Sequence, residues 1–126
     1  MGEGNQWKDR IAGLLQKRKA ATAMGGSEKL AQRETDGKTN ARARIEILID
    51  GGSFTEIGQL AGDGVDGFVA GVGMVDGRPV AIGSEDFTVA GGSIGRTESA
   101  KRYRIAELAL QERIPLVMLL EGAGHR

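Results

Sequence analysis

The stretch Gly67–Val75 reads GFVAGVGMV, Asp76–Gly77 follows it, and Arg78–Val89 reads RPVAIGSEDFTV. The first run alternates along its length and is rich in β-branched residues. Asp-Gly suits the positive φ angles of a two-residue type I′ turn, so the whole stretch predicts a β-hairpin. Glycines Gly91–Gly92 and Ser93 then break the returning strand. A helix is expected from about Ser93 to Arg113, with Tyr103, Ala106, Leu110 and Ile114 along one side and Pro115 as its stop. Leu116–Leu120 is an unbroken apolar run, which suits a strand buried on both faces. Strand, strand, helix, strand is the order of an α/β unit.

On the amino-terminal side, residues 54–60 read as a short strand. Before it come three helical segments. Residues 6–23 carry Trp7, Ile11, Leu14 and Leu15 at helical spacing, opposite Lys8, Arg10, Lys17 and Arg18, and Gly25–Gly26 stops them. Ser27 is the expected cap of a second helix running to about Arg33. Asn40 is the expected cap of a third, with Ala41, Ile45 and Leu48 on one stripe. No Pro- or Ser-rich linker follows. Residues 1–53 therefore read as a helical arm docked on a unit that begins at residue 54.

Composition narrows the chemistry. The chain has 126 residues, 17 basic and 17 acidic, so it carries no net charge to hold a polyanion. The charge is zoned: residues 51–95 hold 1 basic and 6 acidic residues and 13 of the 21 glycines. There is no cysteine, which excludes thiolate nucleophiles and cysteine metal sites, and His125 is the single histidine. No apolar run approaches the roughly 18 residues of a membrane span, and no signal-peptide core is present. An intracellular, cytoplasmic setting is the expectation.

Two glycine-rich segments are the candidate sites. Gly91, Gly92 and Ser93 lie between a strand and a helix, where backbone amides can meet a phosphate or carboxylate; a tight turn capped by Ser93 is the plainer alternative. The spacing fits neither the Walker loop nor the dinucleotide fingerprint. Gly122 to Arg126 follows a buried strand, the place where α/β folds keep their ligands. Its amides could face a developing oxyanion, with His125 as donor or base, or it is simply a strand-to-helix turn. Glu85–Asp86 reads as a polar pair whose side chains diverge. Lys17–Lys19, Arg42 and Arg44 read as solvated helix faces. Met74 and Met118 read as core.

Taken together the residues look familiar. Gly37 to Ile45 (GKTNARARI), with Leu48, Asp50, Gly52, Ser53 and Phe54, resembles the amino-terminal signature of carboxyltransferase β subunits of biotin-dependent acyl-CoA carboxylases. Val75–Val80, Asp86–Ser93 and Pro115–Arg126 are similar to that family in the same order. The resemblance runs from about residue 7 to the end.

It implies an α/β, crotonase-like fold, a spiral of ββα units, present here in part behind the helical arm. It also implies transfer of CO2 from carboxybiotin to the α-carbon of an acyl-CoA. Biotin would arrive on a partner, a biotin carboxylase or biotin carboxyl carrier subunit, with no metal bound by this stretch and a homo-oligomer as the full-length state. Gly91, Gly92 and Ser93 would then meet acyl-CoA, and the backbone N–H groups of Gly124 and His125 would face the enolate oxygen. Two departures stand out. The family's Asp-Ser-Gly-Gly-Ala-Arg loop is here Glu121–Gly122–Ala123–Gly124–His125–Arg126, and Asn40 with Ala43 lacks the reciprocal capping box. We expect residues 54–126 to be the start of a longer domain. The competing expectations are a non-catalytic homologue that binds acyl-CoA or assists assembly, and part of an acyl-CoA decarboxylase subunit.

Overall fold

The computed structural model describes residues 3–59, 67–122 and 124. The elements are α1 (Glu3–Thr22), α2 (Ser27–Thr35), α3 (Ala41–Leu48), β1 (Thr55–Ile57), β2 (Phe68–Val75), β3 (Arg78–Glu85), α4 (Arg96–Glu112) and β4 (Leu116–Leu119). The strands form one sheet in the order β1-β2-β3-β4. β1–β2 and β2–β3 are antiparallel, while β3–β4 is parallel, with Ala81 opposite Leu116 and Ser84 opposite Leu119.

The hairpin forms as expected. Asp76 and Gly77 have φ of 50° and 75°, both positive as a type I′ turn requires. Asp50 holds that turn from outside: its two carboxylate oxygens accept from the Asp76 and Gly77 amides at 3.0 and 2.8 Å.

Successive residues of β2 and β3 point to opposite faces, and each face has its own helix. Ile45 of α3 packs with Ile49, Val69, Val80 and Ile82 on one side. Ile105 and Ala109 of α4 pack with Phe68, Ala70 and Ala81 on the other. The central strands are therefore covered on both faces, which is why β2 is apolar throughout and β3 is apolar from Pro79 to Gly83.

The structure corrects several expectations. α4 begins at Arg96, not Ser93, and Gly95 is its cap. Its buried side is Glu98, Lys101, Ile105 and Ala109, whereas Tyr103 and Leu110 are 72% and 80% exposed. The inward face tolerates two charged residues because their ends reach backbone. Lys101 Nζ donates to the Phe68 carbonyl at 3.0 Å, and Glu98 accepts from the Gly67 and Gly95 amides, each at 3.2 Å. β3 ends at Glu85 because Asp86 folds a turn onto Thr88. β4 is only partly buried: Met118 packs toward the α4 core and Leu119 toward the α3 core, but β4 pairs with β3 alone among the described residues, and Leu120 beyond it is 59% exposed.

In the arm, Asn40 caps α3 as expected, its Oδ1 accepting from the Ala43 amide at 2.9 Å. Gly26 rather than Ser27 precedes α2. α3 is tied to the sheet by Ser84 Oγ donating to the Ala41 carbonyl. Where α1 meets α2, the Gly25 amide donates to Thr88 Oγ1 at 3.0 Å. Trp7, Ile11, Leu14 and Leu15 of α1 are exposed, so that stripe is not part of the docked surface. None of the described helices is long and apolar enough to cross a membrane.

Candidate functional site

β3 and β4 run in the same direction, so their carboxyl ends lie side by side. The segments that follow them, 86–95 and 120–122 with Gly124, are thereby brought to one end of the sheet. These are the two glycine segments singled out in the sequence, and they touch. The Ile94 amide donates to the Gly124 carbonyl at 2.6 Å. A Cβ built on Gly92 would sit 3.0 Å from the Gly122 Cα, and one on Gly122 would collide with the Gly92 carbonyl oxygen. Gly92 also has a φ of 67°, within a left-handed run that includes Ala90 and Gly91. Glycine at 92 thus serves both conformation and clearance.

The Gly91–Ser93 amides are not all available to a ligand. Gly92 N–H donates to the Val89 carbonyl at 2.8 Å, and Ser93 N–H to the Ala90 carbonyl at 3.2 Å. The Ser93 hydroxyl donates to the same Ala90 carbonyl at 2.7 Å, so it does not cap α4. Two of the three amides are thereby committed to the turn itself. Gly124 sits beside it through the Ile94 bond. His125 lies outside the described residues.

Glu85 is the residue that sequence reasoning missed. It is 6% exposed, at the last position of β3. Its Oε2 accepts from both the Glu121 and Gly122 amides, and its Oε1 accepts from Arg102 Nη2. Arg102 in turn lies over the Phe68 ring, 4.7 Å from its centroid. Burial pushes the Glu85 carboxyl up, but the two amides and the Arg102 guanidinium outweigh it, and the net shift is downward. Asp86 moves the other way: burial raises it, and its bonds to the Thr88 amide and hydroxyl offset that only in part. The two carboxyls diverge, as the sequence suggested, but both are buried parts of the framework.

A second set of contacts grips the same loop from the arm. Arg33 of α2, 7% exposed, donates through Nη2 to Glu121 at 2.7 Å and to the Thr39 carbonyl at 2.9 Å. Arg44 of α3 reaches the same Glu121 oxygen at 3.4 Å. Arg42 makes a two-pronged pair with Glu56 at 2.7 and 2.8 Å. Arg42 and Arg44 are therefore joined to carboxylates, not spread over a solvated face. The long-range partners, 14 and 77 residues away, are what the sequence alone could not supply.

Comparison with known proteins places this geometry. A family model described as carboxyl transferase domain matches residues 32–126. A putative propionyl-CoA carboxylase beta chain of Bacillus subtilis is 40% identical, over 87% of this chain and 24% of its own length. The methylmalonyl-CoA carboxyltransferase 12S subunit of Propionibacterium freudenreichii is 34% identical over 100% of this chain and 28% of its own. A crystal structure of the transcarboxylase 12S hexamer, with methylmalonyl-coenzyme A bound, superposes with a TM-score of 0.85 at 34% identity, covering 94% of this chain and 26% of that one. The chain thus spans about a quarter of the length of the relatives it matches.

Proposed function

The chain belongs to the carboxyl transferase domain family, and we propose that it supplies the acyl-CoA-binding part of a carboxyltransferase that moves CO2 from carboxybiotin to the α-carbon of an acyl-CoA. The observation that carries this reading is the meeting of two glycine loops at the carboxyl end of β3 and β4, joined by the Ile94–Gly124 bond. Removing a proton from the α-carbon of a thioester leaves charge on its carbonyl oxygen. Backbone N–H groups held at that oxygen lower the barrier, the more so once the bound acyl-CoA excludes water. Gly124 and His125 are the residues we assign to that role. Biotin, carried by a partner protein or domain, supplies the carboxyl group.

Gly91, Gly92 and Ser93 are assigned to the CoA moiety. Since the Gly92 and Ser93 amides close their own turn, the turn suits the amide N–H groups of pantetheine, which need acceptors, better than it suits phosphate. A homo-oligomer, a biotin carboxylase or carrier partner, and a cytoplasmic setting (the mitochondrial matrix in a eukaryote) complete the reading.

Titration with propionyl-CoA tests it, with Gly92→Val as the paired variant. A valine there carries its Cβ to 3.0 Å from Gly122 at a φ of 67° and pushes the loops apart. Binding should weaken by tenfold or more, on the order of 1.4 kcal/mol. Unchanged affinity in a variant whose fold is unchanged sinks the assignment of this turn.

A further inference from the structure

We propose that Glu85 is a positioning residue for this site: its carboxylate ties down the loop after β4 so that Gly124 meets the acyl-CoA in one conformation. The proposal rests on the acyl-CoA reading above. It stands on three geometric facts. Glu85 is the first residue of β3 past the β3–β4 ladder, which closes at Ser84 and Leu119. There the neighbouring chain leaves the sheet and turns, presenting consecutive amides at Glu121 and Gly122. Both donate to one oxygen of Glu85.

Successive amides converging on one point form the concavity that proteins otherwise offer to anions. Here the chain fills it with its own carboxylate. The donors at 121 and 122 are thereby committed to the framework, and the task of meeting a substrate oxygen passes to the amides that follow. The other oxygen of Glu85 is held by Arg102, itself stacked on Phe68. The carboxylate therefore cannot swing away without breaking an ion pair inside the sheet–α4 interface. Arg33 and Arg44 restrain the side chain of Glu121, next to the pinned amides. Asp86, the adjacent acid, is bonded to Thr88 and does not compete. Glu85 touches no reacting atom in this arrangement. It acts through the loop.

The experiment compares the full 126-residue chain with Glu85→Ala, Glu85→Asp and Glu85→Gln, by amide NMR and by propionyl-CoA titration. In the wild type the Glu121 and Gly122 amide protons should lie far downfield, as charge-assisted bonds require. Glu85→Ala should move both upfield, split or broaden the Gly124 signal, and weaken binding by about tenfold or more. Glu85→Asp is one methylene shorter; it keeps a charge near Arg102 but falls short of the loop, and should show the same released amides and weakened binding, which keeps the test open if the alanine variant fails to fold. Glu85→Gln keeps one oxygen for the two amides but loses the charge and turns an NH2 donor toward Arg102, so its amide signals should lie between those of the wild type and the alanine variant, and its affinity likewise. Unmoved amide signals in the alanine or aspartate variant overturn the proposal. So do released amides with unchanged affinity, which leave the acyl-CoA reading intact. A wild-type chain that binds no propionyl-CoA refutes that reading instead, and the proposal with it.

Discussion

Gly122→Ala puts one methyl group where two loops and a carboxylate converge. The added Cβ would collide with the Gly92 carbonyl oxygen and lie 2.8 Å from Glu85 Oε2. Neither neighbour is a free-swinging side-chain end. Gly92 is held by its own turn bond to Val89, and Glu85 by Arg102 and the Glu121 amide. Relief requires the loops to part by about an ångström, an overpacking cost of about 1–3 kcal/mol. Parting them also strains the charged bond from the Gly122 amide to Glu85, a class of bond worth about 1.5–3 kcal/mol. The two overlap, since one movement relieves the first by spending the second, so the net loss should be about 3 kcal/mol. With a urea slope near 2 kcal/mol/M, the midpoint should fall by about 1.5 M. Gly13→Ala is the control: its Cβ meets nothing, it lies inside α1, and it should leave the midpoint unchanged or slightly raised. If Gly122→Ala unfolds within about 0.5 kcal/mol of that control, the loops are not in contact and the argument for a joint site fails.

Two further outcomes follow from the packing and from the acids. Ile105→Ala, at a position 1% exposed, should cost about 2–4 kcal/mol, while Leu110→Lys, at 80% exposure, should change stability by less than about 0.5 kcal/mol; denaturant midpoints that reverse this order would mean that α4 presents its other face. The adjacent carboxyls should give pH dependences of opposite sign. Glu85 titrates below its unfolded value, so its contribution is present above that value and disappears as pH falls through the folded one; Glu85→Gln should flatten the acid limb of the stability curve. Asp86 titrates above its unfolded value, so its contribution is present below that value and is lost as pH rises through the folded one; Asp86→Asn should remove that loss, and equal limbs in both variants would contradict the assigned shifts.

The hairpin was legible because Asp76–Gly77 carries its own geometric instruction, and the cap at Asn40 for the same reason: both are local. The face of α4 was not. Counting apolar residues selects Tyr103, Ala106 and Leu110, but Glu98 and Lys101 go inward because each finds backbone partners there, and that turns the helix about its axis. The glycine loops stand out in the chain because strand ends and glycines are visible there. The carboxylate that holds them does not: alternation describes residues within a strand, and Asp86 has already left it, so the pair Glu85–Asp86 carried no sign of its separate tasks. Arg33 was equally silent, since its partner Glu121 lies 88 residues away.

The contact between Gly92 and Gly122 has a consequence for the entropy of binding. Side chains that line a ligand site ordinarily lose rotamer freedom when it fills, at about 0.5–1.5 kcal/mol each for the longer ones. Glycine has no rotamers to lose. On the acyl-CoA reading proposed above, a ligand settling against Gly91 and Gly92 would meet backbone already held at folding by the turn bonds to Val89 and Ala90. Its affinity is then set by the fit of its own atoms, with little surrendered to ordering the wall.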